Sequence, residues 1–233
     1  MIDEGGIIHA TGGGSYKYQP EMELFSQPRG IKIQKYDEMA SMVNGMQFVL
    51  RYAKNPSYTV TSRAPAEKHY LENGQNQEVI LVSIGSGVSI IKISNFDSFE
   101  RVAGTMIGGG TLIGLSNLLT GIKDFDTIIE MASRGDHTKV DMMVRDIYGD
   151  NSPFKELGGD LLASSFAKIA NDQQNEDVRN RFSSDDILAS LVCMISFNIG
   201  QLAYYQAMQH NCNKIYFVGN FVRNNLLGMS HIR

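Results

Sequence analysis

At 233 residues, with 42% hydrophobic and 20% charged positions, the chain has the make-up of a globular protein and the length to bury one large core or two small lobes. A net charge of −4 and 21 scattered lysines and arginines leave no broad basic field, which argues against nucleic acid as a main partner and leaves room for a small anion held locally. Neither Cys193 nor Cys212 sits in the closely spaced Cys and His set of a zinc site, and both read as reduced, partly buried thiols; no segment approaches the length of a membrane span, MIDEGG lacks the basic then apolar order of a secretory signal, and a cytoplasmic setting is expected.

The chain opens with a short strand at Ile7-Ile8 and the turn Thr11-Gly12-Gly13-Gly14. Residues 35–53 place Met39, Met42, Val43, Met46, Val49 and Leu50 at helical spacing, with Asp37 and Glu38 in the first turn, so an amphipathic helix with an acidic start is predicted. The polar stretch 54–78, with Pro56 and Pro65 and no periodicity, is expected to be an exposed loop. VILVSI (79–84) is a continuous run rich in β-branched residues and reads as a buried strand; Gly85-Ser86-Gly87 then turns into a second strand, Val88–Ile93. A strand around Phe99–Ala103 leads into GTMIGGGT (104–111), which opens a helix to Thr120.

Helices are predicted at Phe125–Arg134, Val140–Tyr148 and Asp160–Ala170, with a loop from Gly149 to Gly159 and a charged stretch at 173–181. Ser183-Ser184-Asp185-Asp186 is an N-cap cluster for a long helix, 185–209, and KIYFV (214–218) is a last strand running into Gly219-Asn220-Phe221. Strand, glycine turn and helix in alternation indicate an α/β architecture.

Two turns have the chemistry to hold phosphate. Gly85-Ser86-Gly87 lacks the Cβ atoms that would keep a phosphate away, although the same residues make an adequate hairpin. Gly108-Gly109-Gly110-Thr111 puts three glycines before an apolar helix, where helix-terminal N–H groups favour anions and where close packing of helix on strand is the structural alternative. Neither turn fits the G-x-x-x-x-G-K-S/T loop or the G-x-G-x-x-G fingerprint. Glu38 could accept a hydroxyl proton and Arg101 could neutralise a transferring phosphoryl group, though a helix-start acid also serves as a dipole partner and a strand-end arginine is often merely solvated.

Together, ATGGGSYKY (10–18), KYDEMASMVNG (35–45), VSIGSGVSI (82–90), RVAGTMIGGGTLIGLSNLLTG (101–121), VRDIYG (144–149), LASSF (162–166), NIGQLA (198–203) and YFVGNFVR (216–223) resemble, in order, the eukaryotic or type II pantothenate kinases. The resemblance implies an actin-like, sugar-kinase fold of ribonuclease-H type and ATP-dependent, Mg2+-assisted phosphorylation of pantothenate, the first step toward coenzyme A. It implies Glu38 as the catalytic acidic residue and Arg101 as the arginine on substrate and phosphoryl group. Ser86, Gly87, Gly108, Gly109, Gly110 and Thr111 are expected at the ATP phosphates, and Gly219, Asn220 and Phe221 at the nucleotide-side turn. Ser89, Arg101, Thr105, Tyr148, Leu162 and Ala163 are expected at pantothenate, the last three reaching across a homodimer interface. Feedback inhibition by acyl-coenzyme A in the same cleft is also implied.

Family members carry a D-I-G-G-S/T phosphate loop before the segment that begins here and a glycine-rich segment after the point where it stops, so an incomplete nucleotide cradle is expected. Ala167 stands where a glycine usually follows A-S-S-F, and Ser152 where an aromatic is common. The competing reading is a non-catalytic paralogue whose helices, 124–148 and 185–209, pair with a complete kinase subunit.

Overall fold

A computed structural model describes residues 5–61, 67–71, 78–95, 98–149, 158–171 and 181–232. The organising element is β5 (Val79–Ile84), the VILVSI run, which sits inside a four-stranded sheet ordered β10, β5, β6, β7, with β6 at Val88–Asn95, β7 at Ser98–Thr105 and β10 at Ile215–Val218. Side chains of a strand alternate between faces, and here both faces are covered, which explains why the run is apolar throughout.

On one face Ile80, Val82 and Ile84, with Val88 and Ile90 of β6, pack against Leu188, Leu191, Val192, Ile195 and Ile199. Those residues belong to α8 (Ser184–Gln209), backed by α5 (Phe125–Arg134) and α4 (Gly109–Thr120). On the other face Val79, Leu81, Ile91 and Ile93 meet Val43, Met39, Met42 and Met46 of α3 (Glu38–Tyr52). The result is a three-layer helix, sheet, helix arrangement, in which each fully buried aliphatic side chain contributes roughly 1.5–3 kcal/mol. β6 and β7 are antiparallel to their neighbours, while β10 lies parallel to β5 with Ile215 beside Ile80.

The predicted long helix is therefore the core helix. Ser183 caps it by accepting the Asp186 N–H at 3.1 Å. By length and composition α8 is apolar enough to cross a membrane, contrary to the sequence expectation, but 67% of its apolar window is buried inside the protein. The reading of 185–209 as a helix with a single apolar face understates its burial, since Ala189, Ser190, Cys193, Ser196, Gly200 and Ala203 are buried as well.

A smaller parallel pair joins β1 (Ile7–Thr11) to β2 (Lys32–Tyr36), with α1 (Gly13–Lys17) and α2 (Gln19–Ser26) in the crossover. Three expectations need correction. Within 54–78 the described residues form an antiparallel hairpin, β3 (Ser57–Val60) on β4 (Lys68–Leu71), where Tyr58 and Tyr70 are directly opposite and pack edge-on. The predicted helix 140–148 is helical only at α6 (Val144–Tyr148), because Met142 and Met143 form β8 against β9 (Leu162–Ser164). That pairing also removes the predicted helix over 160–170, of which α7 (Ala167–Ala170) remains. The last helix is α9 (Leu226–Ile232). Ser152, most of the loop at 149–159 and nearly all of the charged stretch 173–181 lie outside the described residues.

Candidate active site

Three segments converge at the end of β5. Asp37 starts α3 by accepting the Ala40 N–H at 2.8 Å, which makes Glu38 the first helical residue. Because Met39, Met42 and Val43 bind this helix to the sheet, Glu38 is carried to the rim where β5 ends. There Gly85, Ser86 and Gly87 join β5 to β6, closed by the Gly85 N–H donating to the Gly87 carbonyl at 2.9 Å. The Ser86 and Gly87 N–H groups have no acceptor among the described residues. β7 completes the wall, with Gly104 beside Ser89 and Arg101 beside Ile91.

The open cleft between them has a volume of about 660 Å³ and is lined by Glu38, Ser86, Gly87, Ser89, Arg101 and Thr105, together with Met42, Ser83 and Gly85. A larger cavity of about 1030 Å³ shares Met42 and Ser83 with it; among the described residues that one is lined by no Asp, Glu, Lys or Arg, whereas the smaller cleft holds both an acid and a guanidinium. Glu38 is the only carboxylate lining the smaller cleft among the described residues, and Arg101 has no carboxylate partner there.

Two glycines shape this site in ways that sequence reasoning missed. Any Cβ on Gly104 would run into the Arg101 guanidinium and stand 2.6 Å from the Val88 carbonyl, so the guanidinium lies against the β7 backbone only because residue 104 has no side chain. Gly12, at φ +78°, holds its backbone beside Glu38, where a Cβ would come 3.8 Å from the carboxylate. Thr11 secures that approach by donating its hydroxyl to the Tyr36 carbonyl at 3.0 Å, two residues before Glu38.

Gly108, Gly109 and Gly110 do not present free donors to an anion. Gly109 N–H donates to the Gly85 carbonyl and Gly110 N–H to the Ser86 carbonyl, both at 2.9 Å, while Gly108 N–H is taken by the Thr111 hydroxyl at 3.2 Å. The Thr111 hydroxyl in turn donates to the Met106 carbonyl at 3.0 Å. A Cβ on Gly109 would stand 2.7 Å from the Gly85 carbonyl oxygen, so the triplet is glycine because α4 packs directly on the back of the 85–87 turn. These four residues hold the turn in place.

Gly219 approaches the same turn from β10: at φ +111° it packs on the Ile84 backbone, and it lines the larger cavity. Asn220 is exposed beside it, whereas Phe221 is 2% exposed and sits in the core with its ring 6.3 Å from that of Phe125, so its side chain is a packing element. Tyr148, Leu162 and Ala163, on α6 and β9, do not line the cleft of this chain. Neither cysteine offers a nucleophile: burial, aided by the charge of Asp141, pushes the Cys193 thiol up to about 12, and burial also raises Cys212.

Residues 2–233 match the Fumble family. Pantothenate kinase 2 of Oryza sativa subsp. japonica is 40% identical over 230 residues, which are 97% of this chain and 24% of that protein. Pantothenate kinase 1 of Arabidopsis thaliana is 39% identical over 93% of this chain and 55% of its own length. A 4'-phosphopantetheine phosphatase of Mus musculus is 40% identical over 97% of this chain and 27% of its own. The chain thus spans about a quarter of the length of the rice relative. Among solved structures, glucokinase from Balamuthia mandrillaris in complex with glucose covers 84% of this chain and 54% of its own at 13% identity and a TM-score of 0.36, a likeness too weak to build on.

Proposed function

The chain belongs to the Fumble family, and on that footing we propose that it carries the phosphoryl-transfer cleft of a pantothenate kinase, moving the terminal phosphoryl group of ATP to the primary hydroxyl of pantothenate. The observation that carries this reading is the convergence, in one 660 Å³ cleft, of an acid, a guanidinium with no carboxylate partner among the described residues, and a glycine turn whose Ser86 and Gly87 amides have no acceptor among them. These are three of the parts that phosphoryl transfer uses: a group to take the hydroxyl proton, a cation for the transferring charge and backbone donors for phosphate.

The donor set fits the reactants. Ser86 and Gly87 amides, with the Ser86 hydroxyl, would hold phosphate oxygens. With a single carboxylate in the cleft, Mg2+ would be held chiefly by the ATP phosphates, which suits an ion that keeps few protein ligands; it would neutralise phosphate charge. Glu38 accepts the proton of the attacking hydroxyl, the oxygen of that hydroxyl forms the new bond to phosphorus, and the bond to the bridging oxygen of ADP breaks. Arg101 neutralises charge on the group in flight, and Ser89 and Thr105 orient the acceptor. The actin-like, sugar-kinase form of the fold is part of the same reading.

In this reading the active unit is a homodimer in the cytoplasm, and Tyr148, Leu162 and Ala163 act in the partner subunit's cleft, since they stand outside their own. Acyl-coenzyme A would compete in that cleft. The test is to express the protein from its complete gene, incubate it with ATP, Mg2+ and radiolabelled pantothenate, and measure phosphopantothenate. Glu38→Gln should lower kcat by about 10²–10⁴-fold with the far-ultraviolet circular dichroism unchanged. A protein that makes no product, or a Glu38→Gln variant as fast as the parent, refutes the reading.

A further inference from the structure

Away from the cleft, the fold gathers a set of ligands that sequence spacing does not announce. His137 opens the 3-10 turn His137–Lys139 after α5, Asp141 leads into β8, Cys193 is on α8 and His231 on α9. One ligand atom each from His137, Asp141 and Cys193 lies within 4.8 Å of the others. His231 flanks this group: its Nδ1 is 3.6 Å from Cys193 Sγ, and its ring stands perpendicular to that of His137 with the centroids 5.7 Å apart.

The hydrogen bonds around this cluster have the pattern of a ligand shell. Asp141 is fully buried; its Oδ1 is occupied by the Ser190 hydroxyl at 2.5 Å and the Phe166 N–H at 2.9 Å, which leaves Oδ2 to face His137 Nδ1 at 3.0 Å. Ser190 and Cys193, three residues apart on α8, lie on one face of that helix. The four side chains are thus in contact pairwise, Asp141 with His137 and Cys193 with His231, which sets an oxygen, a sulfur and two ring nitrogens side by side. In addition, His231 Nε2 is buried with no hydrogen-bond partner among the described residues, an arrangement that native structures rarely leave without a reason.

We propose that His137, Asp141, Cys193 and His231 form a structural Zn2+ site that ties the 137–141 segment and α9 to the core helix. One thiolate, two imidazoles and one carboxylate make a four-ligand set of mixed softness that suits Zn2+ and is wrong for Mg2+ or Ca2+, which take oxygen. With all four positions supplied by the protein the site is closed to substrate, so it acts on stability and does not depend on the kinase reading. Ser190 and the Phe166 amide are then the outer partners that orient the carboxylate.

The test is a titration of the chelator-stripped protein with Zn2+ against a chromophoric chelator, alongside substitution with Co2+. The expected result is one tightly bound ion per chain, a rise in melting temperature on binding, and a thiolate-to-cobalt charge-transfer band with tetrahedral d–d bands. Cys193→Ser should weaken binding by more than about 100-fold and Ser190→Ala by about 10–100-fold, while Cys212→Ser changes nothing. If Cys193→Ser does not fold, His137→Asn at the partly exposed edge of the cluster serves in its place. Failure of the parent protein to bind one Zn2+, a bound cobalt lacking the thiolate band, or variants at positions 193 and 137 that bind as tightly as the parent would each overturn the proposal.

Discussion

Gly104→Ala isolates how the protein positions Arg101. The new Cβ would sit 2.6 Å from the Val88 carbonyl oxygen, where real Cβ contacts begin at 3.0 Å, and it would occupy space held by the guanidinium, whose central carbon is 3.1 Å away. The carbonyl belongs to β6 and cannot swing away, since Val88 is paired with Ile84 on one side and Thr105 on the other. The flexible Arg101 side chain yields first, and the strands then part by a few tenths of an ångström. Overpacking of this kind costs about 1–3 kcal/mol, and a displacement near 1 Å of a group that must meet the phosphoryl oxygens costs about 10²-fold in rate. Under the proposed function, steady-state kinetics with ATP and pantothenate on the protein expressed from its complete gene should show kcat reduced by about that factor, with the urea midpoint modestly lowered. Arg101→Ala should be at least as slow, and the double variant no slower than Arg101→Ala, because both changes act through one guanidinium. If Gly104→Ala keeps kcat within about twofold while Arg101→Ala loses it, the guanidinium does not depend on the bare backbone at 104 and the argument fails.

Other perturbations separate core from surface. Ile195→Ala, in the fully buried middle of α8, should destabilise by about 2–5 kcal/mol in urea unfolding. Gly114→Ala, in the interior of α4 with nothing within 4 Å of the new Cβ, should stabilise by about 0.5–1 kcal/mol; a loss of stability there would mean that α4 packs against something at this point. Asp146 is held below the usual carboxylate value of 3.8, chiefly by its hydrogen bond from Lys168 and then by the Met143 N–H. Its folded-state pKa lies below the unfolded one, so its stabilisation is complete above 3.8 and is lost as pH falls through the lower folded value. Lys168→Met should therefore flatten the decline in urea midpoint between the parent's neutral and acid limbs; parallel profiles would contradict the assignment.

Much of the scaffold was legible because its signals are local. The unbroken VILVSI run called for a buried strand, the acidic start and methionine spacing of 35–53 called for the helix that forms as α3 over Glu38–Tyr52, and Ser183 marked the start of the core helix. Glu38, Ser86, Gly87, Ser89, Arg101 and Thr105 could be named beforehand because their flanking motifs identify them, and the fold brings them into one cleft. What failed were elements stabilised by distant partners. β8 is two residues long and exists only because Met142 and Met143 meet Leu162 and Ser164, so no periodicity could reveal it.

The sequence by itself determined the alternation of strand, glycine turn and helix, because apolar periodicity and Cβ-free turns are properties of neighbouring residues. Only the tertiary structure decided what each glycine is for. Three consecutive glycines before a helix read first as an anion cradle, with a packing surface as the alternative, and it is the Gly85 and Ser86 carbonyls, more than twenty residues earlier, that take the Gly109 and Gly110 amides. In the same way Gly104 acquires meaning from Arg101 and Val88, and Cys193 from His137, Asp141 and His231. A side chain's chemistry is written in the chain, but its partners are chosen by the packing of α3 and α8 on the two faces of one sheet.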